Sequence, residues 1–208
     1  MQKLLSCRAL LFDLDGTLID SLPAVDRAWT TFSLKHGLLP SDVLPHIHGK
    51  RSIDSIRRLL PHVDAEIEDA FIRHLETSDT QGVSVLPGSI ELLEKLPRER
   101  WAVVTSGTQD VAMARLSATG IPPAGAYVFG GDVQNGKPAP DPFLLGAERL
   151  GFAAEDCIGV EDTAAGIASI RAAGMQAIGI VIEADITVAN LTELEVTLYG
   201  DRLELRAP

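Results

Sequence analysis

Residues 8–14, RALLFDL, run directly into Asp15-Gly16-Thr17. A short apolar run closed by Asp-Leu-Asp-Gly predicts a buried central strand that ends in a tight turn. Beyond Pro87-Gly88 the chain alternates: helix 89–96 (SIELLEKL), strand 101–106 (WAVVTS), helix 108–120 (TQDVAMARLSATG) and a short strand 127–130 (YVFG). Helix 141–151 (DPFLLGAERLG), strand 157–161 (CIGVE), helix 162–174 (DTAAGIASIRAAG) and strand 176–181 (QAIGIV) continue the series. Regular alternation with short apolar strands predicts an α/β fold, a doubly wound parallel sheet covered on both faces. Residues 21–79 differ, reading as three helices at 21–37, 52–60 and 64–76 with no convincing strand. The expected organisation is a core from 1–16 and 88–208, with an inserted small α-helical cap and its hinge linkers over 17–87. Residues after Glu183 read as a loosely packed terminus with room for a last strand at 196–199 (VTLY).

With 208 residues, 46% of them apolar, the chain is long enough for one compact core plus one elaboration. Its net charge of -11 repels a polyanionic backbone, and no Lys/Arg tract offsets it, so nucleic acid is not an expected ligand. Arg8 interrupts the apolar N-terminal residues, so no signal-peptide core is expected, and no membrane-spanning run is present. A soluble, cytoplasmic protein with no membrane partner is expected, and the acidic surface with a complete core points to a monomer. Cys7 and Cys157 each precede an apolar run without any CxxC or Cys/His spacing, which predicts buried thiols.

Ligands of open parallel sheets gather beyond the carboxyl ends of the strands. The first strand delivers Asp13-Leu14-Asp15-Gly16-Thr17 there, the second Thr105-Ser106-Gly107, a later loop Gly136-Lys137-Pro138, and a fourth strand Glu161-Asp162. Two acids at i and i+2 leaving a strand can share one side, so Asp13 can serve as nucleophile and Asp15 as proton donor. A hydrated hard cation such as Mg²⁺ needs oxygen ligands, which Asp13 and Asp162 supply. Lys137 and the groups around Thr105 and Ser106 would neutralise and orient a phosphoryl group. Each piece alone has a plainer reading, a turn for D-x-D-G and a helix cap for Thr105, Ser106 or Asp162. Those readings do not account for all four at strand ends of one sheet.

In order and spacing, FDLDGTLIDS (12–21), VVTSG (103–107), GKPAPDPF (136–143) and GVEDTAAG (159–166) resemble the four motifs of the haloacid dehalogenase superfamily of phosphohydrolases. The helical stretch resembles that superfamily's small α-helical cap. The phrases DLDGTLIDSLPAVDRAW and IHGKRS are most similar to the beta-phosphoglucomutase-like branch, and there to bacterial sugar-phosphate and hexitol-phosphate phosphatases. The resemblance implies that Asp13 forms an aspartyl-phosphate while Asp15 protonates the leaving alkoxide and later activates water. It also implies that Thr105 and the Ser106 amide bind phosphate, that Lys137 offsets charge, and that Mg²⁺ is held by the Asp13 carboxylate, the Asp15 carbonyl and Asp162. Glu161 would support through water or Lys137. The substrates implied are hexose or hexitol phosphates such as fructose 1-phosphate, 2-deoxyglucose 6-phosphate and sorbitol 6-phosphate.

Other readings are weaker. GDVQNGK (131–137) fits a P-loop core, but Pro138 stands where the cation-binding hydroxyl belongs. His46 and His48 lack a third metal ligand at motif spacing, so a solvated or substrate-facing role fits better. His48-Gly49-Lys50 falls, by resemblance, in the cap's specificity loop, where Lys50 or Arg51 would draw in an anionic substrate; the alternative is an exposed helix face. Lys50 also leaves open a Schiff-base phosphonoacetaldehyde hydrolase. The nearest rival is a phosphoglucomutase, but the hinge His that such mutases carry matches Val25 here, which favours hydrolysis. A non-catalytic binding module on the same fold would have no reason to gather Asp13, Asp15, Lys137 and Asp162.

Overall fold

The computed structural model describes residues 3–207. Strand β1 (Lys3–Cys7) precedes β2 (Ala9–Phe12), and β3 (Ile19–Asp20) leads into helices α1 (Leu22–Lys35), α2 (Pro40–Val43), α3 (Ser52–Leu59) and α4 (Ala65–Ser78). Strand β4 (Ser84–Val85) returns the chain to α5 (Ser89–Leu93), β5 (Trp101–Val104), α6 (Gln109–Thr119), β6 (Ala126–Val128) and α7 (Asp141–Leu150). Strand β7 (Cys157–Glu161), α8 (Ala164–Ala172), β8 (Gln176–Ile180), β9 (Ile186–Val188), β10 (Glu195–Tyr199) and β11 (Arg202–Ala207) complete it.

Six strands form an all-parallel sheet in the order β6-β5-β2-β7-β8-β9. The strand holding the 8–14 run therefore lies inside the sheet, and connections run outward from it in both directions, the doubly wound arrangement expected. Buried on both faces, β2 needs no polar alternation. Its Leu10 and Phe12 join Trp101, Val103, Ile158 and Val160 in one cluster, closed by Leu92 and Leu93 of α5 and Ala112 and Leu116 of α6. Its Ala9 and Leu11 join Ala102, Val104 and Cys157 in the other, under Phe143 of α7 and Ile167 and Ile170 of α8. Each large apolar side chain so buried contributes about 1.5–3 kcal/mol. Cys7 and Cys157 are free and buried, and burial pushes both thiols up to about 12.

Helices α1 to α4 bury a cluster of their own around Trp29, Phe32, Ile56 and Ile72. Pro23 sits in the first turn of α1, where a missing N–H is harmless, and the Asp64 side chain caps α4 by accepting from the Glu66 and Ile67 amides. The expected hinge linkers pair with each other: β3 and β4 form an antiparallel ribbon, Ile19 opposite Val85. No helix among the described residues is long and apolar enough to cross a membrane.

The strand expected at 196–199 is present as β10, but the loose packing expected of the C-terminal residues needs correction. Strand β11 lies between β1 and β10 in a three-stranded antiparallel sheet, and Leu203, Leu205 and Ala207 are buried in the main core. The stretch RLELRA alternates apolar and polar residues because only one of its faces is covered.

Candidate active site

Three strand ends, those of β2, β5 and β7, and the loop that carries Lys137 build the core side of the site. Past the end of β2 the Asp13 amide still bonds Val160 O at 2.9 Å, extending the sheet and fixing a carboxylate that is only 5% exposed. The chain then doubles back, with Leu18 and Ile19 N–H both donating to Leu14 O. Gly16 has φ +91°, and a Cβ there would lie 2.0 Å from Asp162 Oδ2, so the first turn and the end of β7 meet only because this residue lacks a side chain.

Lys137 is buried between two acids, its Nζ donating to Asp13 Oδ1 at 2.5 Å and Glu161 Oε2 at 2.7 Å. The other Glu161 oxygen accepts from the amides of Asp162 and Thr163 and from the Thr163 hydroxyl. Both Glu161 oxygens are thus engaged, which makes it a support for Lys137 and the Asp162 turn. Thr105 extends β5 and presents its hydroxyl 3.5 Å from Asp15 Oδ2. The Ser106 hydroxyl donates to Gly49 O of the helical segment at 3.1 Å.

Carboxylate oxygens of Asp13, Glu161 and Asp162 lie within 4.8 Å of one another. Burial and then the Glu161 charge push Asp13 up to about 8, against the pull of Lys137, and burial with the Asp13 and Glu161 charges pushes Asp162 up to about 9. For Glu161, burial works upward, but Lys137 and the hydrogen bonds it accepts outweigh this and hold it below the usual carboxylate range. Burial opposes the charge of Lys137, yet Asp13 and Glu161 outweigh it and raise its pKa. Three acids therefore share one lysine. A divalent cation held by Asp13 and Asp162 would supply the missing positive charge, and their carboxylates are the hard oxygen donors it needs, so the residues present fit such an ion.

One cavity is lined by Asp13, Asp15, Thr105, Ser106 and Asp162 from the core and by His48 and Lys50 from the helical segment. Lys137 sits beneath Asp13, outside the lining. The eight residues singled out in the sequence thus gather around one cavity. Val25, Trp29 and Ile47 give it an apolar wall, while Arg73 and Glu76 of α4 add charge that sequence reading missed. Arg51, expected as a substrate-drawing cation or an exposed residue, is committed instead. Its Nε bonds Asp54 at 2.6 Å, and its Nη1 reaches Val133 O at 3.2 Å and Gln134 O at 3.1 Å, tying the helical segment to the loop before Lys137.

Sequence reading also missed Arg115 on α6. Its guanidinium, with a side chain only 5% exposed, donates to Asp15 Oδ1 at 2.8 Å and lies 3.2 Å from Glu76 Oε1. A buried cation held by acids distant in the sequence leaves no local motif.

The model of the haloacid dehalogenase-like hydrolases matches residues 7–174. Hexitol phosphatase A of Escherichia coli (strain K12) is 44% identical over 93% of this chain and 91% of its own. The 2-deoxyglucose-6-phosphate phosphatase 1 of Saccharomyces cerevisiae is 31% identical over 89% of each chain. Among solved structures, a mutant of CbbY from Rhodobacter sphaeroides, in complex with xylulose-(1,5)bisphosphate, superimposes with a TM-score of 0.79 at 21% identity, covering 90% of this chain and 96% of that one. With the strand order, the acids at the strand ends and a family match spanning most of its length, this chain belongs to the haloacid dehalogenase-like hydrolases.

Proposed function

We propose that the chain is a Mg²⁺-dependent phosphatase of sugar and sugar-alcohol monophosphates that works through an aspartyl-phosphate on Asp13. The observation that carries this reading is Asp13, backed by Lys137, opening with Asp15 and Thr105 onto one cavity. An Asp13 oxygen attacks phosphorus, and the ester P–O bond breaks with its electron pair moving to the leaving oxygen, which takes a proton from Asp15. Water then attacks phosphorus and gives a proton to the Asp15 carboxylate as the bond to Asp13 breaks, releasing inorganic phosphate and restoring both acids. Thr105 and the Ser106 amide orient the phosphoryl oxygens, and Lys137 balances charge as phosphate meets Asp13. The Asp13 carboxylate, the Asp15 carbonyl and Asp162 would hold Mg²⁺, which would supply Lewis-acid charge to the transferring group.

We assign residues 17–87 as the cap over a core of 1–16 and 88–208, and the protein to the cytoplasm as a monomer. The cap presents Trp29 and Ile47 beside His48, Lys50 and Glu76, a mixed wall suited to a chain of C–H and hydroxyl groups. The two phosphatases compared above carry names that point to hexitol and hexose phosphates. Fructose 1-phosphate, 2-deoxyglucose 6-phosphate and sorbitol 6-phosphate are the substrates to try first. Val25 lines the cavity with an apolar side chain, leaving no acid–base group there to hold water away from a phosphoenzyme.

The test is inorganic phosphate release from a panel of sugar and polyol monophosphates, with Mg²⁺ and with EDTA. Magnesium-dependent release from a few hexose or hexitol phosphates is expected. No release from any of them would overturn the reading and leave the mutase or a binding module.

A further inference from the structure

Arg115 takes no part in the steps above, yet it is the most deeply buried arginine of the site, 4% exposed. Its Nη1 donates to Asp15 Oδ1 at 2.8 Å, and its Nη2 faces Glu76 Oε1 at 3.2 Å. Asp15 leaves β2 in the core, Arg115 lies on α6 of the core, and Glu76 lies on α4 of the helical segment, which packs against α6. Burying a guanidinium is costly unless acids meet it in a fixed geometry. If the pair only tied α4 to α6, Glu76 would suffice as partner. Arg73 with Asp110 already makes such a tie at the half-exposed rim, at 3.5 Å. The third member, Asp15, is what a tie does not explain. Arg115 holds one Asp15 oxygen, while the other stands 3.5 Å from the Thr105 hydroxyl.

We propose that Arg115 is a positioning residue that aims Asp15 at the leaving-group oxygen, and that Glu76 sets Arg115, so that proton delivery is in register only while α4 lies against α6. This rests on the phosphatase reading, with Asp15 as the proton donor. Arg115 fixes Oδ1 and so leaves Oδ2 to hold and release the proton. Glu76 fills the other side of the guanidinium, limiting its rotation away from Asp15. Substrate binding that draws the helical segment down would complete the acid at the same moment.

The experiment compares kcat of the wild type, Asp15→Asn, Arg115→Met and Glu76→Gln with Mg²⁺ on sorbitol 6-phosphate and p-nitrophenyl phosphate. The alkoxide of the first needs a proton as it leaves; the nitrophenolate of the second does not. Asp15→Asn sets the loss expected from removing the acid. Arg115→Met should lose on the order of 10²-fold on the alkyl ester and less than about tenfold on the aryl ester, and Glu76→Gln should lose about tenfold on the alkyl ester alone. Equal losses on both esters in Arg115→Met, while Asp15→Asn discriminates, would reduce Arg115 to a structural tie and leave the phosphatase reading standing. Should Arg115→Met not fold, the near-isosteric Glu76→Gln decides: a loss confined to the alkyl ester supports the proposal, and an equal or absent loss overturns it. If sorbitol 6-phosphate is not turned over, the alkyl ester is whichever sugar or polyol phosphate of the panel the wild type hydrolyses fastest. A wild type that releases phosphate from no member of the panel overturns the phosphatase reading and this inference together.

Discussion

Gly16 and Asp162 meet so closely that a Cβ on Gly16 would lie 2.0 Å from the Asp162 Oδ2. The carboxylate proposed as a cation ligand is thus held in place by the absence of a side chain on another strand's turn. Gly16→Ala, at φ +91°, both strains the backbone and pushes Asp162 aside. We expect affinity for Mg²⁺ to fall by about 10–100-fold, the range seen when residues around metal ligands are altered. Calorimetric titration of the metal-free protein checks it; unchanged affinity would place the cation elsewhere.

Asp13→Asn should abolish turnover while leaving the far-ultraviolet circular dichroism of the wild type. An amide cannot attack phosphorus as a carboxylate does. Substantial phosphate release by this variant would remove Asp13 as the nucleophile.

Lys137 is the sole cation bonded to both Asp13 and Glu161 among the described residues. Lys137→Met strands two buried acids, and breaking a buried ion pair from one side costs about 3–5 kcal/mol. Urea denaturation in EDTA should show a loss of that order. A midpoint like that of the wild type would mean that the acids are satisfied by other means.

Metal removal should make stability depend on pH. With no cation, Asp13 is pushed up to about 8 and Asp162 to about 9, both by burial first, while in the unfolded chain each ionises as an ordinary aspartate. Between those limits the folded state binds more protons than the unfolded, so its stability is greatest at low pH and is lost as pH rises through the folded values. Glu76, pushed up to about 7 by burial, adds in the same direction. Melting temperature in EDTA should therefore fall between about pH 5 and about pH 9, and Mg²⁺ should restore it most at the alkaline end. A profile in EDTA that stays flat or rises would contradict the shifts.

The parts of the site that were legible in the sequence are those that leave a strand. Asp13, Thr105, Lys137 and Asp162 each follow an apolar run or a Gly/Pro signal, and local pattern places strand ends reliably enough to bring them to one edge of a sheet. Arg115 and Glu76 escaped because each sits on a helix, where a charged residue reads as solvated; their burial depends on tertiary approach of α4, α6 and the turn after β2. Arg51 was misjudged for the same reason, since the carbonyls it meets belong to a distant loop. The β11 strand carried a period-2 signal in RLELRA that its three charged residues obscured. The β3–β4 ribbon is only two residues per strand, too short for any periodicity to register.

That ribbon has an evolutionary corollary. With Ile19 opposite Val85 and the Ser89 hydroxyl bonded to Leu18 O at 2.8 Å, the chain leaves the core and comes back at the same point. Closing a loop whose ends already touch costs only about (3/2)RT ln n, so the length and content of what hangs from that point weigh little on the folding of the sheet. A lineage can then lengthen, recompose or replace the helices at this doorway and so acquire new leaving groups, while the strand ends proposed to handle phosphorus are inherited unchanged.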